Sequence, residues 1–189
     1  MSMRFFVAGF FAAVVLPCLG GASDAMAPAG NAAHLNRLAA EVDKPYIHLL
    51  SQNGIDLAPG ETYRLTFWAR ASEGRMLRVS TKFDQPPWKG LQDQRVQLDT
   101  NWTFYEVSLN GDDAEPGHTR LEFRYAGPEA GEIWIADVRL LPETADAAAP
   151  NMIQNGRFED KLLNWYIEGQ RPGIFAVDVE ALPGGGANP

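Results

Sequence analysis

Between Glu61 and Arg70 the chain alternates with a period of two. Tyr63, Leu65, Phe67 and Ala69 fall on one side, and Arg64, Thr66, Trp68 and Arg70 on the other. This is the pattern of a strand with one buried face; a helix would scatter the apolar set around its circumference. Pro59-Gly60 supplies a turn before it and Gly74 a turn after it. A half-apolar strand needs a second layer to cover it, so the run demands a packed sheet. Four further long runs read as strands: Met76–Phe83, Trp102–Leu109, Arg120–Tyr125 and Ile133–Leu140. In Arg120–Tyr125, Leu121, Phe123 and Tyr125 share a face, and Ile133–Leu140 is entered from Gly127-Pro128 and Gly131. Shorter candidates are His34–Leu38, Tyr46–Ser51, Asn151–Asn155, Trp165–Glu168 and Ile174–Val179. No amphipathic helix of useful length is found. Short, evenly spaced strands predict an all-β sandwich or barrel.

The first residues read as a targeting segment outside the fold. Arg4 forms a short positive start, Phe5 to Leu19 an apolar stretch broken by Pro17, and small residues follow. Cleavage fits either after Ala25 or after Ala27, so residues 1–25 are set aside as a signal peptide. The expected location is secreted or periplasmic. No other stretch is long and apolar enough to span a membrane. Cys18, the only cysteine, lies inside this segment, so the mature chain has no disulfide and depends on its core or on a bound metal. The 46% hydrophobic and 21% charged content suits one globular domain. The formal charge of −8, with no block of Lys and Arg, argues against a nucleic-acid or anionic-membrane partner.

Four stretches carry a family resemblance. "IDLAPGETYRLTFWARAS" (Ile55 to Ser72), "NWTFYEVSL" (Asn101 to Leu109), "EIWIADVRL" (Glu132 to Leu140) and "NMIQNGRFEDKLLNWYIEG" (Asn151 to Gly169) resemble carbohydrate-binding modules of the family 4, 9 and 22 group. The resemblance covers nearly all of the mature chain. It implies a two-sheet jelly-roll β-sandwich, galactose-binding-like in fold, that binds a polysaccharide or glycan without cleaving it.

The order of the pieces departs from the family. The N-G-x-F-E segment, which opens such modules, stands last here, at Asn155 to Glu159. Too few residues separate the signal from Ile55 to hold an opening segment as well. Joining the two parts gives about 150 residues, the size of one domain. The expectation is therefore a circularly permuted single domain over 28–182. Its main block is 30–141, its connector 142–150 and its completing strands 151–180, and a Gly-rich tail occupies 183–189. The completing strands could come from the same chain in a monomer or from a partner in a domain-swapped dimer; a truncated second module is the remaining alternative.

Sugar binding uses aromatic platforms flanked by polar groups, because a pyranose C–H face packs on a π-face. Trp102, Phe104, Tyr105, Phe67 and Phe123 lie in periodic strands and read as core. Candidate platforms are Trp88, in the Pro-rich loop Phe83 to Gly90, and Trp68, beside Arg70. Tyr46 joins them because it falls about where family members place a stacking aromatic. His48, Gln52 and Gln85 are candidate hydroxyl partners. The resemblance also implies a structural calcium ion near the junction of first and last strands, held by Glu159 and Asp137. The family's first Asp in that last-strand motif is Ala136 here. An interaction module of the cell envelope and a jelly-roll glycosidase are the alternative readings. A glycosidase needs two carboxylates facing one cleft, whereas Glu61, Glu106, Glu122 and Glu132 read as scattered over solvated faces. His34, His48 and His118 lack metal-ligand spacing, and no nucleophile elbow or phosphate loop is found.

Overall fold

A computed structural model of the chain describes residues 14–15, 28–41, 43 and 47–182. The strands are β1 (Val14–Val15), β2 (Asn31–Arg37), β3 (Leu49–Ile55), β4 (Thr62–Ala71), β5 (Arg75–Phe83), β6 (Gly90–Leu98), β7 (Thr103–Asn110), β8 (Thr119–Tyr125), β9 (Gly131–Pro142), β10 (Tyr166–Glu168) and β11 (Phe175–Ala181). One sheet has the order β1-β6-β5-β8-β3-β10 and the other β11-β2-β9-β4-β7. Every pairing is antiparallel except that of the two-residue β1 with β6. The fold is an all-β jelly-roll sandwich. No helix among the described residues is long and apolar enough to cross a membrane.

The alternation in β4 behaves as the sequence dictates: Tyr63, Leu65, Phe67 and Ala69 are buried between the sheets, and the interleaved residues lie on the outer side. Phe67 stacks on Tyr105 of β7 and meets Phe123 of β8 edge-on, at 5.5 and 5.2 Å between ring centres, so one aromatic knot joins the two sheets. Trp102 and Phe104 differ from the core reading. Phe104 is 39% exposed, and half-buried Trp102 packs on a small second cluster outside the sandwich. With Tyr105 turned inward, its neighbour Phe104 must point outward. Strand β6 was not marked in the sequence because only Val96 and Leu98 of its nine residues are buried. Asn151–Asn155 forms turns, not a strand.

The C-terminal segment completes both sheets of its own chain. Strand β10 pairs with β3, and β11 pairs with β2 over seven residues. Between the connector and β10, the Asn151 side chain zips the segment to β9. Its Oδ1 accepts from Leu140 N and Ile153 N, at 2.9 and 3.0 Å, and its Nδ2 donates to Val138 O at 2.9 Å. A bulge at Asp137 (φ 46°) sets two residues opposite Phe67 and frees Val138 N to donate to Gly156 O at 2.9 Å. Position 156 must be glycine, because a Cβ there would lie 2.1 Å from Val138 O. Phe158 and Trp165 then enter the core, 5.3 Å apart, with Trp165 reaching Phe123.

At the other end of the sandwich a buried cation sits on β2. Arg37 donates through Nε to His48 Nδ1 at 2.9 Å and through Nη1 to Gly127 O, and its guanidinium lies 4.2 Å over the Tyr125 ring. Burial and the neighbouring Arg37 push the His48 pKa from 6.5 down to about 4. The unfolded chain therefore binds a proton between those two values that the folded chain excludes. Stability is fully present above pH 6.5 and is lost as pH falls through the window toward 4, by on the order of 3 kcal/mol. Urea melts at about pH 7 and about pH 4.5 should show a lower midpoint at the acidic value. Equal midpoints would mean that His48 is not held neutral by the fold.

Candidate functional site

The outward face of the β6-β5-β8-β3-β10 sheet is charged. Strand register places its side chains in rows. One row runs Arg95, Arg78, Arg124, Leu49 and Glu168; the next runs Asp93, Ser80, Glu122, Ser51 and Tyr166. The inward neighbours of these residues, among them Leu77, Val79, Leu121 and Phe123, build the core. The same alternation that fills the sandwich therefore presents a polar strip on its outside.

Glu122 is the hub of that strip and is fully buried. It pairs with Arg120 and Arg124 on its own strand, with Lys82 Nζ at 3.0 Å, and accepts from Ser80 Oγ at 3.1 Å. Arg120 reaches across β3 to Glu168, and Arg78 pairs with Asp93. Burial raises the Glu122 pKa, but Arg124, Lys82 and Arg120 outweigh it and hold the carboxyl below its usual range. Glu122 thus stays an anion and has no proton to give a leaving group. Ser51 Oγ, Arg120 Nε and Arg124 Nε are buried without a hydrogen-bond partner among the described residues. Buried polar atoms without partners call for an explanation, and a ligand on this face is one. Tyr166, 56% exposed, stands at the edge of this strip. Sequence reasoning placed Glu122 on a solvated face and missed Tyr166. The available signal was the R-x-E-x-R spacing of Arg120, Glu122 and Arg124, whose alternate positions all face away from the core.

The residues singled out in the sequence do not converge. Trp68 and Arg70 lie on the outer side of the opposite sheet. There Trp68 meets Phe104 edge-on at 5.5 Å, and the Arg70 guanidinium sits 4.0 Å over Trp134 and 5.5 Å over Trp102. His34 stacks flat on Trp134 at 4.6 Å, and Glu180 accepts from Trp134 Nε1 and lies 2.6 Å from His34 Nδ1. Arg70 is thus committed to a cation–π stack. His48 and Gln52 point inward: His48 stacks on Phe175 at 4.6 Å, and Gln52 exchanges two hydrogen bonds with the backbone of Gln154, at 2.8 and 2.7 Å. Neither has surface to offer a ligand. Trp88 is 52% exposed in the β5–β6 loop, with a φ of 57° that bulky residues rarely adopt. It rises, with half-buried Gln85, from the Lys82 end of the charged sheet. Tyr46 lies outside the described residues.

The calcium expectation rests on Glu159 and Asp137. Both line a surface cavity of about 520 Å³, but Arg139 and Arg157 line it too. Asp137 Oδ1 accepts from Arg157 Nε at 3.3 Å. Calcium takes six to eight oxygen ligands, and among the described residues no three His, Cys, Asp or Glu side chains gather as a ligand set. With guanidinium groups in the lining, these residues do not fit the ion.

Comparison with solved structures finds the same sandwich. The carbohydrate-binding module of PbXyn10C in its apo form superposes with a TM-score of 0.59 at 21% identity, over 82% of this chain and 91% of that one. A family 4 carbohydrate-binding module gives 0.51 at 22% identity, over 58% of this chain and 70% of that one. The second N-terminal cellulose-binding domain of Cellulomonas fimi β-1,4-glucanase C gives 0.52 at 20% identity, over 60% and 77%. These likenesses show the fold. No curated protein matches the chain. The family model described as "Carbohydrate binding domain", CBM_4_9, matches residues 29–131, and the chain belongs to that family.

Proposed function

We propose that this protein is an exported, non-catalytic carbohydrate-binding module that takes its glycan along the outward face of the β6-β5-β8-β3-β10 sheet. The observation that carries this reading is the pairing of an exposed aromatic ring, Tyr166, with a charged strip in which Ser51 Oγ, Arg120 Nε and Arg124 Nε have no hydrogen-bond partner among the described residues. Tyr166 supplies a stacking surface, and the strip supplies directed hydrogen bonds to hydroxyls. Trp88, at the far end of the same sheet, is a second platform for a longer chain.

The same residues support the non-catalytic part of this reading. Glycoside hydrolysis needs one carboxyl that keeps a proton and another free to act as base or nucleophile. On this face Glu122 is held ionised by cations, and Asp93 and Glu168 are each engaged by an arginine. Export rests on the N-terminal Arg4 and the apolar stretch after it. Removal of residues 1–25 takes β1 with it and leaves β6 as a sheet edge. A glycan array probed with the mature protein tests the reading. Binding to at least one glycan, weakened tenfold or more in Tyr166→Ala, is the expected result, because binding energy concentrates on such aromatics. Binding that Tyr166→Ala leaves unchanged would place the site elsewhere.

A further inference from the structure

Three arginines stand side by side on the proposed binding face. Arg78 on β5 lies directly opposite Arg95 on β6 and Arg124 on β8. Adjacent strands are about 4.8 Å apart, and like charges placed directly opposite one another destabilise a sheet. The fold offsets this for two of the three: Arg78 pairs with Asp93 and Arg124 with Glu122. Arg95 is exposed and has no ion pair among the described residues. The row opens onto a cavity of about 420 Å³ lined by Met76, Arg78, Arg95, Arg124, Tyr125 and Gly127, with no carboxylate in its lining. Of the lining residues, Arg124 has its Nε buried with no hydrogen-bond partner among the described residues. Across the sheet, among the described residues, Arg78, Lys82, Arg95, Arg120 and Arg124 face only Asp93, Glu122 and Glu168. The face is therefore cationic in a chain whose formal charge is −8.

We propose that the Arg95–Arg78–Arg124 row reads carboxylates, and that the ligand is an acidic polysaccharide containing uronic acid units. This rests on the reading of the sheet face as the glycan site and specifies which glycans it selects. Guanidinium groups match carboxylates as planar two-point donors, and a row of them spans more than one charge along a polymer. A neutral glycan would leave Arg95 with only water and would leave the excess charge of the row uncompensated. Since the rest of the protein is acidic, the row also orients a polyanion onto this one face.

Isothermal titration of the mature protein with polygalacturonate, a sulfated galactan and a neutral galactan tests the assignment. The expected result is binding to polygalacturonate that weakens about tenfold or more between about 0.05 M and about 0.5 M salt. Arg95→Gln, an exposed change that leaves the Glu122 network whole, should weaken it by a further tenfold or so. Preference for the sulfated galactan would overturn the carboxylate assignment. Binding to the neutral galactan alone, indifferent to salt and to Arg95→Gln, would overturn the acidic-ligand inference and leave the sugar-binding reading standing. Failure to bind these three or any array glycan would sink both.

Discussion

A chain ended after Pro150 is expected to lose its cooperative melt. The cut removes β10 and β11, and with them Ile153, Phe158, Trp165, Phe175 and Val177 from the core. Losing a single large buried side chain costs about 2–5 kcal/mol, and a whole domain is stable by only about 5–15 kcal/mol. The cut also bares the backbone edges of β2 and β3, which β11 and β10 otherwise pair. Uncovered edges invite association with other chains. We propose that this dependence reflects a permuted order: the N-G-x-F-E segment that opens other family members is here delivered from the C-terminus, docking through Asn151 and Gly156 onto β9. Circular dichroism on heating the truncated protein checks this. A soluble product with a sharp transition near that of the full chain would show that the main block folds alone.

Glu122→Gln should destabilise the protein by about 3–5 kcal/mol, since a buried charge network loses its only central anion. Arg120, Arg124 and Lys82 would then crowd a neutral amide, and the two arginines have side chains that are themselves largely buried. For a domain of this size the melting midpoint should fall by on the order of 10 °C. Glu106→Gln, on the exposed side of β7, is the control and should stay within about 0.5 kcal/mol of the parent. The sign with pH follows from the depressed Glu122 pKa. Its contribution is fully present above the ordinary value of 4.5 and is lost as pH falls through the lower folded value. If Glu122→Gln melts with the control, the network is not what holds this face.

The sandwich was readable because its core strands obey period-two burial, as in Tyr63 to Ala69 and Tyr105 to Leu109. The reading broke where tertiary context overrides pattern. Strand β6 has too few apolar residues to announce itself, and exists because β5 offers it a hydrogen-bonding edge. The site was less readable. Aromatic content drew attention to Trp68, whose strand faces outward on the opposite sheet, and to Trp88. His48 and Gln52 look like surface polar residues but fill inward positions, where Arg37 donates to His48 Nδ1 and the Gln154 backbone satisfies Gln52. The charged strip was hidden for another reason. Its rows join β6, β5, β8, β3 and β10, which are far apart in sequence, so only register brings Arg95, Arg78 and Arg124 together.

The central claim is that glycan binds on the face of Tyr166. It is tested most directly by glycan-array binding of two single variants, one on each face of the sandwich. Tyr166→Ala should lose tenfold or more in affinity, while Trp68→Ala, on the opposite sheet, should bind as the parent does. The reverse pattern, with Trp68→Ala weakened and Tyr166→Ala intact, would contradict the account and move the site to the other face.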